Sequence, residues 1–370
     1  MTETRPYVDW KLMNDFMVDV FVKYGVPEED AKICADVLLE SDRRGIESHG
    51  CNRFKPIYLD RIKLGTLLPT TEIEIVKETP TTVVIDAHDG MGMVASHKMM
   101  EMLIEKAKIY GLAGGAIYNS THYGIAGYWT GMAEKAGMIG ISGTNARPSV
   151  APTFGVEPMM GTNPMTFTIP TDEEFPFNFD CATCIMQNGK IEFYERQGKE
   201  TPEGCVVSKS GETMTDSGQI LKDIRAGKAA LLPLGGLGEA TSGYKGYGFT
   251  TIVEIFSAAF AGGPFMKALS GVDENGDPKM YKLGHFFFVI NPEFFMGLDV
   301  FKKTAGDICR GLRASEKAPG VERIYTAGEK EYLAWQDRKD KGVPVGESIQ
   351  KELIQLRDEL GLTQYRFPFE

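Results

Sequence analysis

Two of the five histidines in this 370-residue chain stand where chemistry needs room. His122 lies in "NSTHYGIAG", Asn119 to Gly127, where Asn, Ser, Thr and Gly leave space for another molecule beside the ring. His49 lies in "DRRGIESHGCNRF", with Ser48 before it, Gly50 after it, and Arg53 one helical turn further on. Arg53 would face the same ligand if a helix starts there. An imidazole suits proton transfer at neutral pH, and an arginine offers the bidentate fork that holds a carboxylate. Each histidine has a blander reading, the capping of a helix in a glycine-bounded turn, and spacing alone does not separate the two.

The other motifs point away from reactive centres. His285, at the mouth of "HFFFVI", and His88 and His97, which flank a glycine turn, read as structural. Cys181 and Cys184 form a C-x-x-C with no second pair at zinc spacing, so packing thiols are expected and no metal site. In "DAHDGMGMVASH", Gly90, Gly92 and Ala95 match G-x-G-x-x-A. A dinucleotide fingerprint also needs an acid at the end of the next strand, which here ends "AIYNS", so the match reads as a turn between strand and helix. The stretch "LPLGGLGEATSGYKGYG" surrounds Lys245 with glycines. Amides freed of side chains approach phosphate oxygens closely, and a lysine adds a point charge. Gly246 follows Lys245, which excludes a P-loop but leaves a phosphate-bearing cofactor open.

The elements that must position these residues follow from apolar period and turn chemistry. Leu12, Phe16, Val20 and Phe21 form a helical stripe, and Pro27 with Glu28, Glu29 and Asp30 opens a second helix. "RFKPIYLDRIKLG" suggests a third. "TEIEIV" and "TTVVIDA" read as strands, "VASHKMMEMLIEKAKIYG" as a long helix, and "AGGAIYNS", "AGYWTGMAEKAG" and "MIGISGTN" as strand, helix and strand. "GTNPMTFTIP" and "FPFNFD" are short strands. The glycine loop precedes a helical "FTTIVEIFSAAFAGG", then come the strand "HFFFVI" and a polar helical end, "SIQKELIQLRDELGL". The chain is expected to be α+β, with helical termini packed together around a β-rich middle. Its net charge of −11, with no basic block, excludes a nucleic-acid partner. No signal-like or membrane-length apolar segment is read, so a soluble cytoplasmic protein with reduced thiols is expected.

Taken in order, "RRGIESHGCNRF", "NSTHYGIAGYW", "GTNARPSVAPTFG", "GTNPMTFTIP", "FNFDCAT" and "LPLGG" through "KGYG" resemble the malate/L-lactate dehydrogenase family of the second type. That family also holds ureidoglycolate, sulfolactate and diketogulonate enzymes. The resemblance runs nearly to Glu331. It implies a non-Rossmann NAD(P)-binding fold with a mixed or antiparallel sheet, NAD or NADP as cofactor, and a homodimer. It also implies an activity that interconverts a 2-hydroxy acid and a 2-oxo acid. The expected division is a helical unit of residues 1–75 plus 310–370 and a cofactor and substrate unit of 76–309, with a β-rich subdomain near 120–230.

Carried over by position, His49 and His122 match histidines given as acid/base in different members, and Ser48, His49 and Asp180 match a proposed relay. Arg53 matches the carboxylate ligand and Thr162 a substrate contact, while Arg147 is the residue available for a second anionic group. Asn145, Asp180, Cys181, Ala182, Tyr244 and Lys245 match cofactor positions, as do Glu322 and Arg323 in "APGVER". Two departures stand out: "DCATC" replaces "DMATS", and the loop before "KGYG" is longer than in many members, which bears on pocket size. The alternatives on the same fold are a ureidoglycolate dehydrogenase or a cyclic imine reductase. From other classes, a hydrolytic Ser48–His49–Asp180 triad lacks a nucleophile elbow, and a silent anion-binding protein would bind oxo acids without touching a nicotinamide.

Overall fold

The computed structural model describes residues 5–370. After β1 (Tyr7–Val8), Asp9 caps α1 (Trp10–Lys23) by accepting the amides of Lys11 and Leu12, and α1 turns Met13, Phe16, Met17, Val20 and Phe21 inward. α2 (Glu28–Arg43) starts after Pro27 with three acids in its first turn, where the helix dipole favours them. A 3₁₀ turn, Glu47–His49, leads into one continuous helical stretch: α3 (Cys51–Arg53), a π-helical turn (Phe54–Leu59) and α4 (Asp60–Lys63). Phe54 and Tyr58 from this stretch pack edge-on against Phe21 at 4.9 and 6.2 Å, which fixes the helix on α1.

A seven-stranded mixed sheet follows, built from β2 (Glu74–Glu78), β3 (Thr82–Asp86), β4 (Leu112–Ser120), β5 (Ile139–Thr144), β6 (Met165–Ile169), β7 (Phe177–Cys181) and, much later, β10 (Leu283–Ile290). The order is β2-β3-β4-β10-β5-β6-β7. β3 and β4 run parallel because α5 (Gly92–Tyr110) crosses between them, and the other neighbouring pairs are antiparallel. α5 and α6 (Ala126–Lys135) cover one face, and α9 (Gly243–Ala259) packs on β4, β10 and β5. α7 (Asn188–Arg196), β8 (Val206–Ser208), α8 (Ser217–Arg225) and β9 (Ala229–Leu231) form a lobe with its own small core of Val150, Ile191, Val206, Ile220 and Leu231.

The two ends of the chain meet. α10 (Leu298–Ala314), α11 (Glu329–Arg338), β11 (Val343–Pro344) and α12 (Glu347–Glu359) close the fold, with β1 paired antiparallel to β11 and Phe16 ringed by Tyr365 and Phe367, both at 5.2 Å. Residue 310 lies inside α10, whose Arg310 and Arg313 are ion-paired to Asp172 and Glu173 between β6 and β7. The helix after the glycine loop begins at Gly243, so Tyr244 and Lys245 sit in its first turn and not in the loop. Among the described residues no helix is long and apolar enough to cross a membrane.

Candidate active site

The His122 loop is held by its neighbours on both sides. Thr121 is buried, and its hydroxyl donates to the Gly90 carbonyl (2.8 Å) and accepts from the Gly92 amide (3.0 Å). A Cβ on Gly92 would lie 2.2 Å from the Thr121 carbonyl oxygen, so the glycine turn exists to let this loop pass. The first amide of α5 is thereby engaged within the protein. Tyr123 is buried and stacks on His285 at 4.4 Å, and its carbonyl accepts from Trp129 Nε1 at 3.1 Å. His285 bridges the Thr144 and Ser120 hydroxyls at 2.7 and 2.8 Å, and burial pushes its pKa down to about 3. It is a structural histidine, as its position at a strand mouth suggested.

His49 comes from a different segment, the 3₁₀ turn after α2. Asp42, buried in α2, accepts the Cys51 amide at 2.9 Å, which pins the turn that carries the histidine. Ser48 Oγ lies 2.9 Å from His49 Nδ1, and Arg53 Nε donates to the Ser48 carbonyl at 2.6 Å. Ser48, His49 and Arg53 thus form one unit, as their spacing suggested.

The fold brings the two histidines face to face, their rings 5.8 Å apart and 21° from parallel. Burial lowers both pKa values, that of His49 to about 4 with the Arg53 charge adding to it. For His122, His49 and then Arg61 and Arg53 add to the effect of burial. Both rings are therefore neutral at pH 7 in the free protein. Tyr58, fully buried, places its hydroxyl 2.6 Å from His122 Nδ1, and the Gly124 amide points at the same nitrogen from 3.2 Å. A backbone N–H only donates, so Nδ1 is an acceptor and the ring proton sits on Nε2. Burial keeps the phenol protonated by raising its pKa.

Sequence reasoning missed Tyr58 and Arg61. They lie five and eight residues after Arg53, and the π-helical turn brings all three to one side of the helix. The Arg61 guanidinium covers the Tyr281 ring at 4.1 Å, and Arg147 and Arg53 are close enough to add to the fall in its pKa caused by burial. The pattern R-x₄-Y-x₂-R in "RFKPIYLDR" carried the signal, but only a known π turn makes it a face.

Other candidates are placed differently from what their positions implied. Asp180 is not bonded to Ser48 or His49. Its carboxylate accepts the Thr166 hydroxyl and the Gly127 amide, each at 2.7 Å, so it caps the start of α6 and steadies the loop that carries His122. Asn145 has no exposed surface, and its side chain joins the Gly284 amide and the Pro264 carbonyl. Arg323 pairs with Glu329, and Gly328 beside it lies against Pro176 and Asn178, the end of β7 away from Cys181, so neither Glu322 nor Arg323 joins the histidines. A cavity of about 550 Å³ lined by Arg43, Arg44, Glu134 and Tyr332 contains neither histidine.

The remaining cofactor candidates do converge. The Thr183 amide donates to the Thr162 carbonyl at 3.0 Å, and the Thr183 carbonyl accepts the Leu234 amide at 2.9 Å. Thr162, the Cys181–Ala182 strand end and the glycine loop therefore lie together. A Cβ on Gly246 would sit 2.0 Å from the Leu234 carbonyl, and one on Gly243 the same distance from that of Gly236. These glycines let the loop close on itself and do not open the backbone to a ligand. Lys245 is exposed at the start of α9, with Tyr244 beside it and no carboxylate within 4 Å among the described residues. Such a donor set fits the anionic phosphates of a nicotinamide dinucleotide. All six cysteines are free, and burial raises Cys181 to about 11 and Cys184 to about 12, so neither is a thiolate at neutral pH.

A family model described as malate/L-lactate dehydrogenase matches residues 8–354. The chain is 41% identical over 347 residues to a malate dehydrogenase of Pyrococcus horikoshii, covering 94% of this chain and 93% of that one. It is 39% identical over 346 residues to an L-sulfolactate dehydrogenase of Methanocaldococcus jannaschii, covering 94% and 95%. Its fold is similar to the crystal structure of malate dehydrogenase from Entamoeba histolytica, with a TM-score of 0.93, 43% identity, and 97% and 99% of the two chains covered.

Proposed function

The chain belongs to the malate/L-lactate dehydrogenase family and is an oxidoreductase that interconverts 2-hydroxy and 2-oxo acids; we propose that His49 carries the proton and His122 holds the reacting oxygen. Two electrons move with the hydride at C2, and the proton moves at the C2 oxygen. A nicotinamide supplies the hydride chemistry when bound, held by Lys245 and Tyr244 and by the Thr162 and Cys181–Ala182 strand ends. Arg53 takes the substrate carboxylate and turns C2 toward the nicotinamide.

The observation that supports the division of labour is the Gly124 amide directed at His122 Nδ1. It leaves His122 with a fixed Nε2–H, a neutral donor that polarises a carbonyl and stabilises a developing alkoxide. His49 is not fixed in this way. Its Nδ1 partner is the Ser48 hydroxyl, which both donates and accepts, so Nε2 of His49 can take a proton or give one. Its pKa near 4 belongs to the free protein, and a bound acid anion raises it toward neutrality.

Replacing His49 by Asn should lower kcat by about 100-fold or more and flatten the pH profile, since general acid–base catalysis contributes roughly 10²–10⁴-fold. His122→Gln, which keeps a donor, should lose less and keep the profile. An H49N enzyme within a few-fold of the parent would overturn the assignment. The protein in solution is read as a homodimer: Val300, Ile308 and Leu312 make an exposed apolar stripe on α10, continued by Phe295 and Met296, and a second copy is the simplest cover for it.

A further inference from the structure

Arg338, the last residue of α11, lies 291 residues from Glu47 in the chain, yet it closes on the turn that carries His49. Its guanidinium donates to Glu47 Oε1 at 2.5 Å and to the Asp42 carbonyl at 2.6 Å. Asp42 belongs to the last turn of α2, where carbonyls lack helical partners and the dipole favours a cation. Glu47 directly precedes Ser48. One side chain thus bridges the end of α2 and the start of the histidine turn.

An arginine beside a glutamate is most often a solvated contact of small worth. The Arg338–Glu47 pair is more withdrawn, with 16% and 28% of the two side chains exposed, against 50% and 59% for the next pair along, Lys341 with Asp337. Arg338 is also fixed from behind, because its carbonyl accepts from Trp10 Nε1 at 3.0 Å. Glu47 is held by further bonds: its carbonyl accepts from Asn52 at 2.8 Å, and its second carboxylate oxygen from Arg5 at 2.7 Å.

The far end of the turn rests on α2, where Asp42 accepts the Cys51 amide and a Cβ on Gly50 would lie 2.1 Å from the same carboxylate. His49 therefore stands between two anchors, Glu47 and Cys51. A 3₁₀ turn of three residues has few bonds of its own with which to hold a ring in place. Ser48, next to Glu47, supplies both the hydroxyl beside His49 Nδ1 and the carbonyl that accepts from Arg53. A shift of Glu47 moves the ring, its Nδ1 partner and the support of Arg53 together.

We propose that Arg338 is a positioning residue for proton transfer: acting through Glu47, it sets the place of His49 while touching neither substrate nor cofactor. The proposal rests on the reading of His49 as proton carrier given above. It makes the meeting of the chain's two ends a condition of turnover, since Arg5 and Trp10 come from the first segment and Arg338 from the last.

The test compares the parent with Arg338→Met, Arg338→Lys and Glu47→Gln, each also combined with His49→Asn. Reduction of oxaloacetate and pyruvate is followed with NADH and NADPH, and the His49 ring is titrated by proton NMR, with H49N identifying its signal. R338M should lower kcat by about 100-fold, because misplacement by about 1 Å costs on the order of 10²-fold, while the cofactor KM stays unchanged. R338K, which keeps the charge without the fork, should recover part of the loss, and E47Q, which keeps an acceptor oxygen, should lose less than R338M. In the H49N background R338M should cost nothing further, since an effect carried by His49 vanishes with it. A loss of equal size in both backgrounds, or an R338M enzyme within a few-fold of the parent, overturns the positioning role. If R338M does not fold, R338K and E47Q decide by the same comparison of backgrounds. If H49N keeps the parent's kcat, or the parent reduces no oxo acid, the proton-carrier reading fails. The titration then decides the placement by itself: burial holds His49 near 4 in the parent, and in R338M a displaced, wetter ring should titrate closer to the ordinary 6.5. A value that does not move overturns the proposal.

Discussion

The chain has two glycine-rich turns that each lead into a helix, and they differ in what stands at the helix start. The turn at Gly90–Gly92 has the spacing of a dinucleotide fingerprint, yet its helix start is engaged by Thr121, a residue of the His122 loop. The turn at Gly235–Gly243 has no recognised phosphate motif, yet it ends at an exposed lysine with no acid beside it. Glycine spacing reports that a backbone must come close to something. What comes close, a neighbouring loop or a ligand, is decided by which groups already occupy the helix start.

The sharpest way to break this comparison is Gly92→Ala. Its Cβ would meet a backbone carbonyl at 2.2 Å, so the His122 loop must move. Because misplacement by about 1 Å costs on the order of 10²-fold in rate, kcat should fall about 100-fold while the KM for the nicotinamide cofactor changes little. A cofactor KM that rises with kcat preserved would return the first turn to the role of a nucleotide site.

Acid should act on the same side of the molecule. His285 underlies the His122 loop, and its pKa is depressed from 6.5 to about 3. A depressed histidine favours the folded state when neutral, so its contribution is complete above pH 6.5 and is lost as pH falls toward 3. The stake is several kcal/mol at about 1.4 kcal/mol per pKa unit. The melting temperature of the parent should drop across that window, and His285→Gln should flatten the drop whatever it does to stability at pH 7. An unchanged pH slope in that variant would place the acid sensitivity elsewhere.

The smallest expected effect sharpens the second turn. Lys245→Ala should raise the cofactor KM about tenfold, worth roughly 1.4 kcal/mol, with the melting temperature unchanged because the side chain is exposed and unpaired. The effect should shrink at high salt. A variant with unaltered cofactor KM would leave the phosphates to other residues.

Much of the fold was legible in the chain because local rules and tertiary packing agree there. The stripe of Phe16, Val20 and Phe21 faces the core, the acids after Pro27 open α2, and "TTVVIDA" and "HFFFVI" lie in the sheet. The grouping of Ser48, His49 and Arg53 was legible for the same reason, since the contacts span five residues or fewer. The bonds that complete the site span far more. Tyr58 reaches His122 across 64 residues and Asp180 reaches Gly127 across 53. No periodicity encodes such pairs. Asn145 shows the converse: its motif suggested a cofactor contact, but the strand crossing beside it buries the amide completely.

By itself the sequence determined the class of protein, the α+β order of elements and the types of side chain available for proton transfer and anion binding, because these depend on composition, period and local turns. Only the tertiary structure decided that the two histidines face each other, that the Tyr58 hydroxyl reaches His122, and that Arg61 is left without a counter-charge. Those facts depend on distance and solvent access between segments far apart in the chain, and only packing brings such segments together.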